Sequence, residues 1–301
     1  MEESGVSAAT GQVGHSEMGN APSITESGID PNAVYALGGS VGESERLRRQ
    51  HDELAPESLA LLDQVGLRPG DSAIDLGCGP CGVLELLSQR VSPGGRVVGL
   101  DANPDHVAMA SALMVERGLT EVEVRCADAR HTGLEASSFD LVHTRTLLVN
   151  VPEPAEVVAE MVRLVRPEGW VAGLEPDGEA AICYPPDPAY DRLCELFSVA
   201  FARHGADIHT GRRMAELYRH AGLEDVTVKC RAPVYPPGHS RRTIRADLVR
   251  AMRPQILDMG LATERDLDQL DRAARQHLDD PDTVVMPFLW FLAWGRKPAS
   301  A

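Results

Sequence analysis

Ile74-Asp75-Leu76-Gly77-Cys78-Gly79-Pro80-Cys81-Gly82 is the stretch that decides how this chain is read. A short apolar run ends at Ile74. An acid follows, then a glycine-rich turn, then the helix-like Val83-Leu84-Glu85-Leu86-Leu87. Strand, tight loop and helix in that order open a nucleotide-binding α/β fold. Glycines at such a turn let the backbone approach a ligand with no Cβ in the way.

Three chemistries compete for the stretch. Gly77, Gly79 and Gly82 spell G-x-G-x-x-G, the dinucleotide pattern, which is weak by itself. Cys78-Gly79-Pro80-Cys81 spells the C-x-x-C of a redox dithiol. An S-adenosylmethionine (SAM) loop expects an acid two residues before the first glycine, and Asp75 stands there. It expects a second acid closing the next strand, and Asp101 follows Val97-Val98-Gly99-Leu100. The dinucleotide reading shares Asp101 but leaves Asp75 unexplained, and the dithiol reading explains neither. SAM is therefore the preferred ligand.

Working outward, strand and helix alternate. Strands are expected at Ser72–Asp75, Arg96–Asp101, Glu121–Cys126, Phe139–His143 and Trp170–Leu174, with helices between them. Such alternation implies a parallel sheet covered on both faces. A sixth strand is expected at Val226–Arg231. The last, Thr283–Arg296, is apolar on both faces and so reads as a covered strand. Before the sheet, one helix is expected over Glu43–Leu54 and a second over Pro56–Val65, with Pro56 at a first helical position.

The ordered set of motifs resembles the class I SAM-dependent methyltransferases of the small-molecule kind, from about residue 56 to 296. The matching residues are Ile74 to Gly79, Asp101, Cys126-Ala127-Asp128-Ala129, Phe139-Asp140-Leu141-Val142-His143 and Leu164-Val165-Arg166-Pro167-Glu168-Gly169. The resemblance implies a Rossmann-like α/β fold: a seven-stranded, mostly parallel sheet whose last strand is antiparallel and inserts between strands five and six. It implies SAM as cofactor, with S-adenosylhomocysteine as product, and methyl transfer to a small organic acceptor. It places Asp75, Gly77, Cys78 and Gly79 at the methionine end, Asp101 and Ala102 at the ribose, and Asp128 and Ala129 at the adenine. Thr144 and Arg145, at the end of strand four, are expected to touch the cofactor. Cys81 departs from the glycine common at its position and is read as structural.

A narrower resemblance is to actinobacterial tailoring enzymes, including C-methyltransferases that methylate a prenyl alkene. It implies natural-product metabolism and C-methylation. In such enzymes an N-terminal segment folds over the site. Residues 32–50 are accordingly expected to form a lid, with Tyr35 closing the pocket and Arg46 and Gln50 meeting the methionine carboxylate. Glu175 is the candidate general base and His209 a further catalytic candidate. Tyr184, Tyr190, Phe197, His239 and Arg245 are candidates for a substrate-enclosing cap. The rival from another class is a cyclase or binding module that uses the cofactor without methylating, and a remoter one is an NAD-dependent oxidoreductase.

The expected organisation is a disordered tail (1–31), N-terminal lid helices (32–55), an α/β core (56–235) with a cap segment at 178–209, a helical insertion (236–280), and the final core strand with a short tail (281–301). The 301 residues carry 29 Lys and Arg against 45 Asp and Glu, a net charge of −16. Nucleic-acid binding needs clustered basic residues, so no nucleic-acid partner is expected. Six scattered cysteines form no disulfide framework, and Arg46 is the first basic residue, so a reduced cytoplasmic setting is expected. No membrane span is expected, because the most apolar run, Val284 to Trp294, is short and interrupted by Pro287. No metal is expected, since Glu175 and Asp177 lack a third ligand. A homo-oligomer is compatible with the composition.

Overall fold

A computed structural model describes Met1, residues 41–203 and residues 205–299; side chains at 41–46 and at 48 are outside that description. Residues 2–40, which include Tyr35, nearly all of the expected tail and the first part of the expected lid, therefore lie outside the described residues.

Helix α1 spans Val41–Val65 without a break, and Pro56 lies inside it. This corrects the expectation of two helices. An interior proline costs a helix about 3 kcal/mol. The buried residues Gln50, His51, Leu54, Ser58, Leu61, Leu62 and Val65 form one continuous helical stripe. Burying each of three leucines contributes about 1.5–3 kcal/mol, which outweighs the proline.

The sheet follows. Its strands are β1 (Ser72–Leu76), β2 (Arg96–Asp101), β3 (Val122–Cys126), β4 (Phe139–Arg145), β5 (Val165–Asp177), β7 (Glu224–Arg231) and β9 (Leu289–Arg296). Their spatial order is β3-β2-β1-β4-β5-β9-β7. The first five run parallel, and β9 is antiparallel to both neighbours. The seven-stranded sheet with its inserted antiparallel strand is thus present as expected. Every residue of β4 is buried, which suits a central strand covered on both faces. Helices α2 (Leu84–Val91), α3 (Pro104–Glu116) and α4 (Pro154–Leu164) make the crossovers.

The final apolar run is divided at Pro287. Its first part, β8 (Val284–Met286), leaves the main sheet and pairs with β6 (Ile182–Tyr184). Only β9 joins the seven strands. Proline has no N–H to give a ladder, so the strand is interrupted there.

The cap is helical. Helix α5 (Pro188–Arg203) follows β6, and α6 (Thr210–His220) returns to the sheet. Between β7 and β8 lie a 3₁₀ turn (Ser240–Thr243), α7 (Ile244–Ala251), α8 (Arg253–Asp258) and α9 (Glu264–Asp279). Arg242 fastens this insertion. Its buried guanidinium donates to the carbonyls of Leu278, Tyr235, Asp280 and Thr283 at 2.7–3.0 Å. None of the helices is long and apolar enough to cross a membrane, among the described residues.

Four carbonyls converging on one side chain make Arg242 the fastening of the cap. Arg242→Met leaves them without that donor, and each unsatisfied buried group costs about 1–3 kcal/mol. Chemical denaturation of the variant is expected to show a loss of at least about 2 kcal/mol. A loss within experimental error would show that water replaces the guanidinium.

Candidate active site

The strand order reverses between β1 and β4, and in open α/β sheets a ligand sits beyond the carboxyl ends at that point. A cavity of about 990 Å³ opens there. Its walls come from the ends of four strands: Gly77 and Gly79 after β1, Asp101 to Asn103 after β2, Asp128 to Arg130 after β3, and Arg145 to Leu147 at β4. Leu47 of α1 closes it from above the loop.

Asp101 is the polar centre. Its Oδ2 accepts from the Gly79 amide at 2.8 Å and its Oδ1 from the Asn103 amide at 2.9 Å. Each carboxylate oxygen keeps acceptor capacity toward the cavity. His106 stands beside it, with Nδ1 at 3.4 Å from Oδ1; its buried Nε2 has no partner among the described residues. Asp128 is also in the wall, gripped by Arg130 through both oxygens. Burial raises its carboxyl pKa, but the Arg130 bonds prevail and hold it below the usual range.

The glycines act through space rather than through free amides. The Gly77 amide donates to Leu100 at 2.7 Å, and the Gly79 amide is taken by Asp101. Both glycines nevertheless lie in the cavity wall, where the resemblance places them. Gly77 has φ +70°, and a Cβ there would lie 2.8 Å from Leu147 Cδ1. Gly82 has φ +51°, and a Cβ would lie 2.5 Å from Asp75 Oδ2.

Several expected contacts sit elsewhere. Asp75 is buried beneath the loop: it accepts from His143 Nδ1 at 2.8 Å and from the Val83 amide at 3.2 Å, away from the cavity wall. It shapes the loop from behind. Thr144 is fully buried and also behind the wall. Arg145 does reach the wall, donating to Gly82 O and Ser58 Oγ at 3.2 Å each, so it braces the loop against α1. Ala102 and Ala129 are in the wall. Gln50 is buried, but it lines a neighbouring cavity and donates to Thr146 Oγ1 at 3.2 Å. Arg46 lies in α1 with its side chain outside the described residues.

Cys78 and Cys81 are buried thiols. Burial, then the nearby Asp101 and Asp75 charges, push the Cys78 thiol far up. A redox thiol needs the opposite environment, so the dithiol reading fails here. Cys78 lies inside the loop rather than in the cavity wall.

Glu175 is not placed as a base. It is wholly buried and accepts from three backbone amides: Leu147 and Leu148 on Oε1 at 3.0 and 2.9 Å, and Val149 on Oε2 at 3.2 Å. These are the unsatisfied donors of the short 3₁₀ helix Leu148–Asn150. His209 is half-exposed at the start of α6, bonded to Asp207 and Glu179, and outside both cavities. Asp177, beside Glu175 in sequence, pairs with Arg212 and caps Glu179 and Ala180. Of the cap candidates, Phe197 lines the neighbouring cavity. Tyr190 and Arg245 are buried in the cap, His239 caps the 3₁₀ turn, and Tyr184 is exposed. Among the described residues no group of three or more His, Cys, Asp or Glu is placed to hold a metal ion.

Sequence reasoning missed His106, Thr146, Leu147 and Asn150. The last three form the turn after β4, whose only signal was that it leaves a strand at its carboxyl end.

Residues 74–173 match the family model described as "Methyltransferase domain". Over that third of its length the chain is similar to the SAM-dependent methyltransferases. It is 40% identical over 116 residues to nocamycin O-methyltransferase of Saccharothrix syringae, covering 38% of this chain and 41% of that one. It is 28% identical over 193 residues to demethylmenaquinone methyltransferase of Bacillus cytotoxicus, covering 60% and 80%. Geranyl diphosphate C-methyltransferase of Streptomyces coelicolor A3(2) shares the fold, with TM-score 0.53 at 16% identity and 87% of each chain covered. The matches span about half the length of the first curated relatives. Enzymes of this class use SAM, and the cavity suits it: a roomy glycine-lined mouth, a carboxylate with spare acceptor capacity, and an unpartnered imidazole nitrogen beside it.

If Glu175 organises the turn rather than moving protons, Glu175→Gln lowers stability and leaves the shape of the pH–rate profile unchanged. Burial pushes the Glu175 carboxyl up to about 8, against the three amides that pull it down. The folded chain then holds this proton over a range where the unfolded chain has released it. Its contribution to stability is full at acid pH and declines as pH rises from about 4.5 to about 8. Urea unfolding across that range is expected to show this decline in the wild type and a flatter curve in Glu175→Gln. An altered pH–rate profile with unchanged stability would restore Glu175 as a base.

Proposed function

We propose that this protein transfers the methyl group of SAM to a small organic acceptor, in specialised metabolism. The observation that carries the reading is Asp101, held at the tip of β2 by two amides with its carboxylate in the wall of the glycine-lined cavity.

Asp101 would accept hydrogen bonds from the ribose hydroxyls; bonds to a charged acceptor are the stronger kind. The Asp128–Ala129 edge would meet the adenine. Leu47 and Leu147 would cover the cofactor and exclude water. When bound, SAM supplies a methyl on a sulfonium: an acceptor electron pair bonds to the methyl carbon as the carbon–sulfur bond breaks, leaving S-adenosylhomocysteine. The chain's own contribution is orientation and desolvation. The reading gives Glu175 and His209 no catalytic part, since one is bonded to three backbone amides and the other to Asp207 and Glu179. The nocamycin relative supports a natural-product acceptor. Helices α5 and α7, which line the neighbouring cavity, suit an acceptor small enough to be enclosed.

Calorimetric titration of the full chain is expected to show binding of SAM and none of NAD. Asp101→Ala should weaken SAM by on the order of 1.5–3 kcal/mol, the worth of hydrogen bonds to a charged group. Tight NAD binding without SAM binding would sink the proposal.

A further inference from the structure

A second cavity, of about 530 Å³, shares Thr146 and Asn150 with the first as a common wall. Four aromatic side chains line it, among aliphatic and a few polar ones. Phe197 and Phe201 stack at 4.9 Å between centroids, and Phe288 and Trp290 meet at 6.0 Å. Leu248 and Ile244 of α7 close the far side. Arg241 is the lining residue that carries positive charge, and it is ion-paired with Glu53 at 2.5 Å. Arg245 lies behind the rings, 4.2 Å from the Phe288 centroid, with its guanidinium donating to the Pro287 and Gly178 carbonyls. The charge of the lining Arg241 is thus balanced, while the buried Arg245 is met by backbone carbonyls.

One polar atom in this wall is oriented and unused. Asn150 Nδ2 donates to the Thr146 carbonyl at 2.6 Å. A carbonyl can only accept, so this bond fixes which end of the amide is which. The opposite atom, Oδ1, is shielded from bulk solvent and has no partner among the described residues. A buried acceptor in that state is costly until a donor arrives.

We propose that the second cavity binds the acceptor, and that the acceptor is an uncharged, ring-bearing molecule presenting an O–H or N–H to Asn150 Oδ1. The inference rests on the reading that the first cavity holds SAM. A ring stacks on the four aromatics, a donor satisfies Asn150, and the shared wall sets the acceptor against the cofactor. A carboxylate or diphosphate would bring its charge into a wall whose cation is already neutralised, and would offer Asn150 no proton.

The test uses the full chain saturated with S-adenosylhomocysteine, titrated calorimetrically with four probes: 2-naphthol, 2-methoxynaphthalene, 2-naphthoate and geranyl diphosphate. The expected result is that 2-naphthol binds about tenfold more tightly than the other three. In Asn150→Leu its advantage over 2-methoxynaphthalene should fall to about twofold or less. Leu248→Trp, which fills the second cavity alone, should abolish 2-naphthol binding while S-adenosylhomocysteine still binds, which also shows that the variant folds. Stronger binding of either anion overturns the inference. So does a naphthol preference that survives Asn150→Leu, or naphthol binding that survives Leu248→Trp. So does a wild type that binds S-adenosylhomocysteine but not 2-naphthol. Failure to bind S-adenosylhomocysteine at all instead refutes the methyltransferase reading, and the inference falls with it.

Discussion

The site depends on one buried carboxylate, Asp75. It sits at the centre of the sheet, wholly shielded from water, and holds two elements at once. One oxygen accepts from His143 on the neighbouring strand, and the other from the Val83 amide just past the glycine loop. A buried carboxylate is expensive unless its lone pairs are met, and these are. The loop must then curl tightly over Asp75. Gly82 passes so close that a Cβ would strike the carboxylate. The glycine pattern is therefore dictated as much by the acid beneath as by any ligand above. Arg145 completes the clamp by reaching from β4 to the Gly82 carbonyl.

This explains how far the sequence could be read. Asp75 two residues before Gly77 is a strong signal because the geometry needs both together. The signal marks the turn beside the glycine-lined cavity, while Asp75 itself bonds to His143 and Val83 beneath that turn. Spacing tells which residues share a turn, not which side of the turn a side chain takes. Asp101 was legible because it ends the strand next to β1, at the carboxyl edge of the sheet where ligands of such folds sit. The alternation of β1 to β5 and the inserted β9 were legible for a similar reason: both-faces-apolar strands have few places to go.

What escaped was decided by long-range contacts. Pro56 is a good helix opener in isolation, but a continuous buried stripe from Gln50 to Val65 carries the helix through it. Glu175 and His209 look like chemistry when seen as ionisable residues near strand ends. The structure gives each a local duty, amide capping for one and a surface ion cluster for the other. Asn150 carries no sequence signal at all. Its interest comes from a carbonyl four residues back that fixes its amide, which no spacing rule reports.

The same turn shows why a buried acid is worth keeping away from the chemistry. A three-residue 3₁₀ helix cannot satisfy its own leading amides. Left to water, it would fray, and it is the wall between the two cavities. Glu175, brought in from β5, meets three of those amides and lets the turn be dry. Thr146 enters the turn at φ +53°, a conformation a β-branched residue rarely adopts, and is held there by Gln50 and by its own bond to the Arg145 carbonyl. Methyl transfer in line depends on the donor and acceptor meeting at one distance and one angle. A wall fixed from behind by an acid, and from the side by a helix, can hold that geometry without any residue in it acting as acid or base.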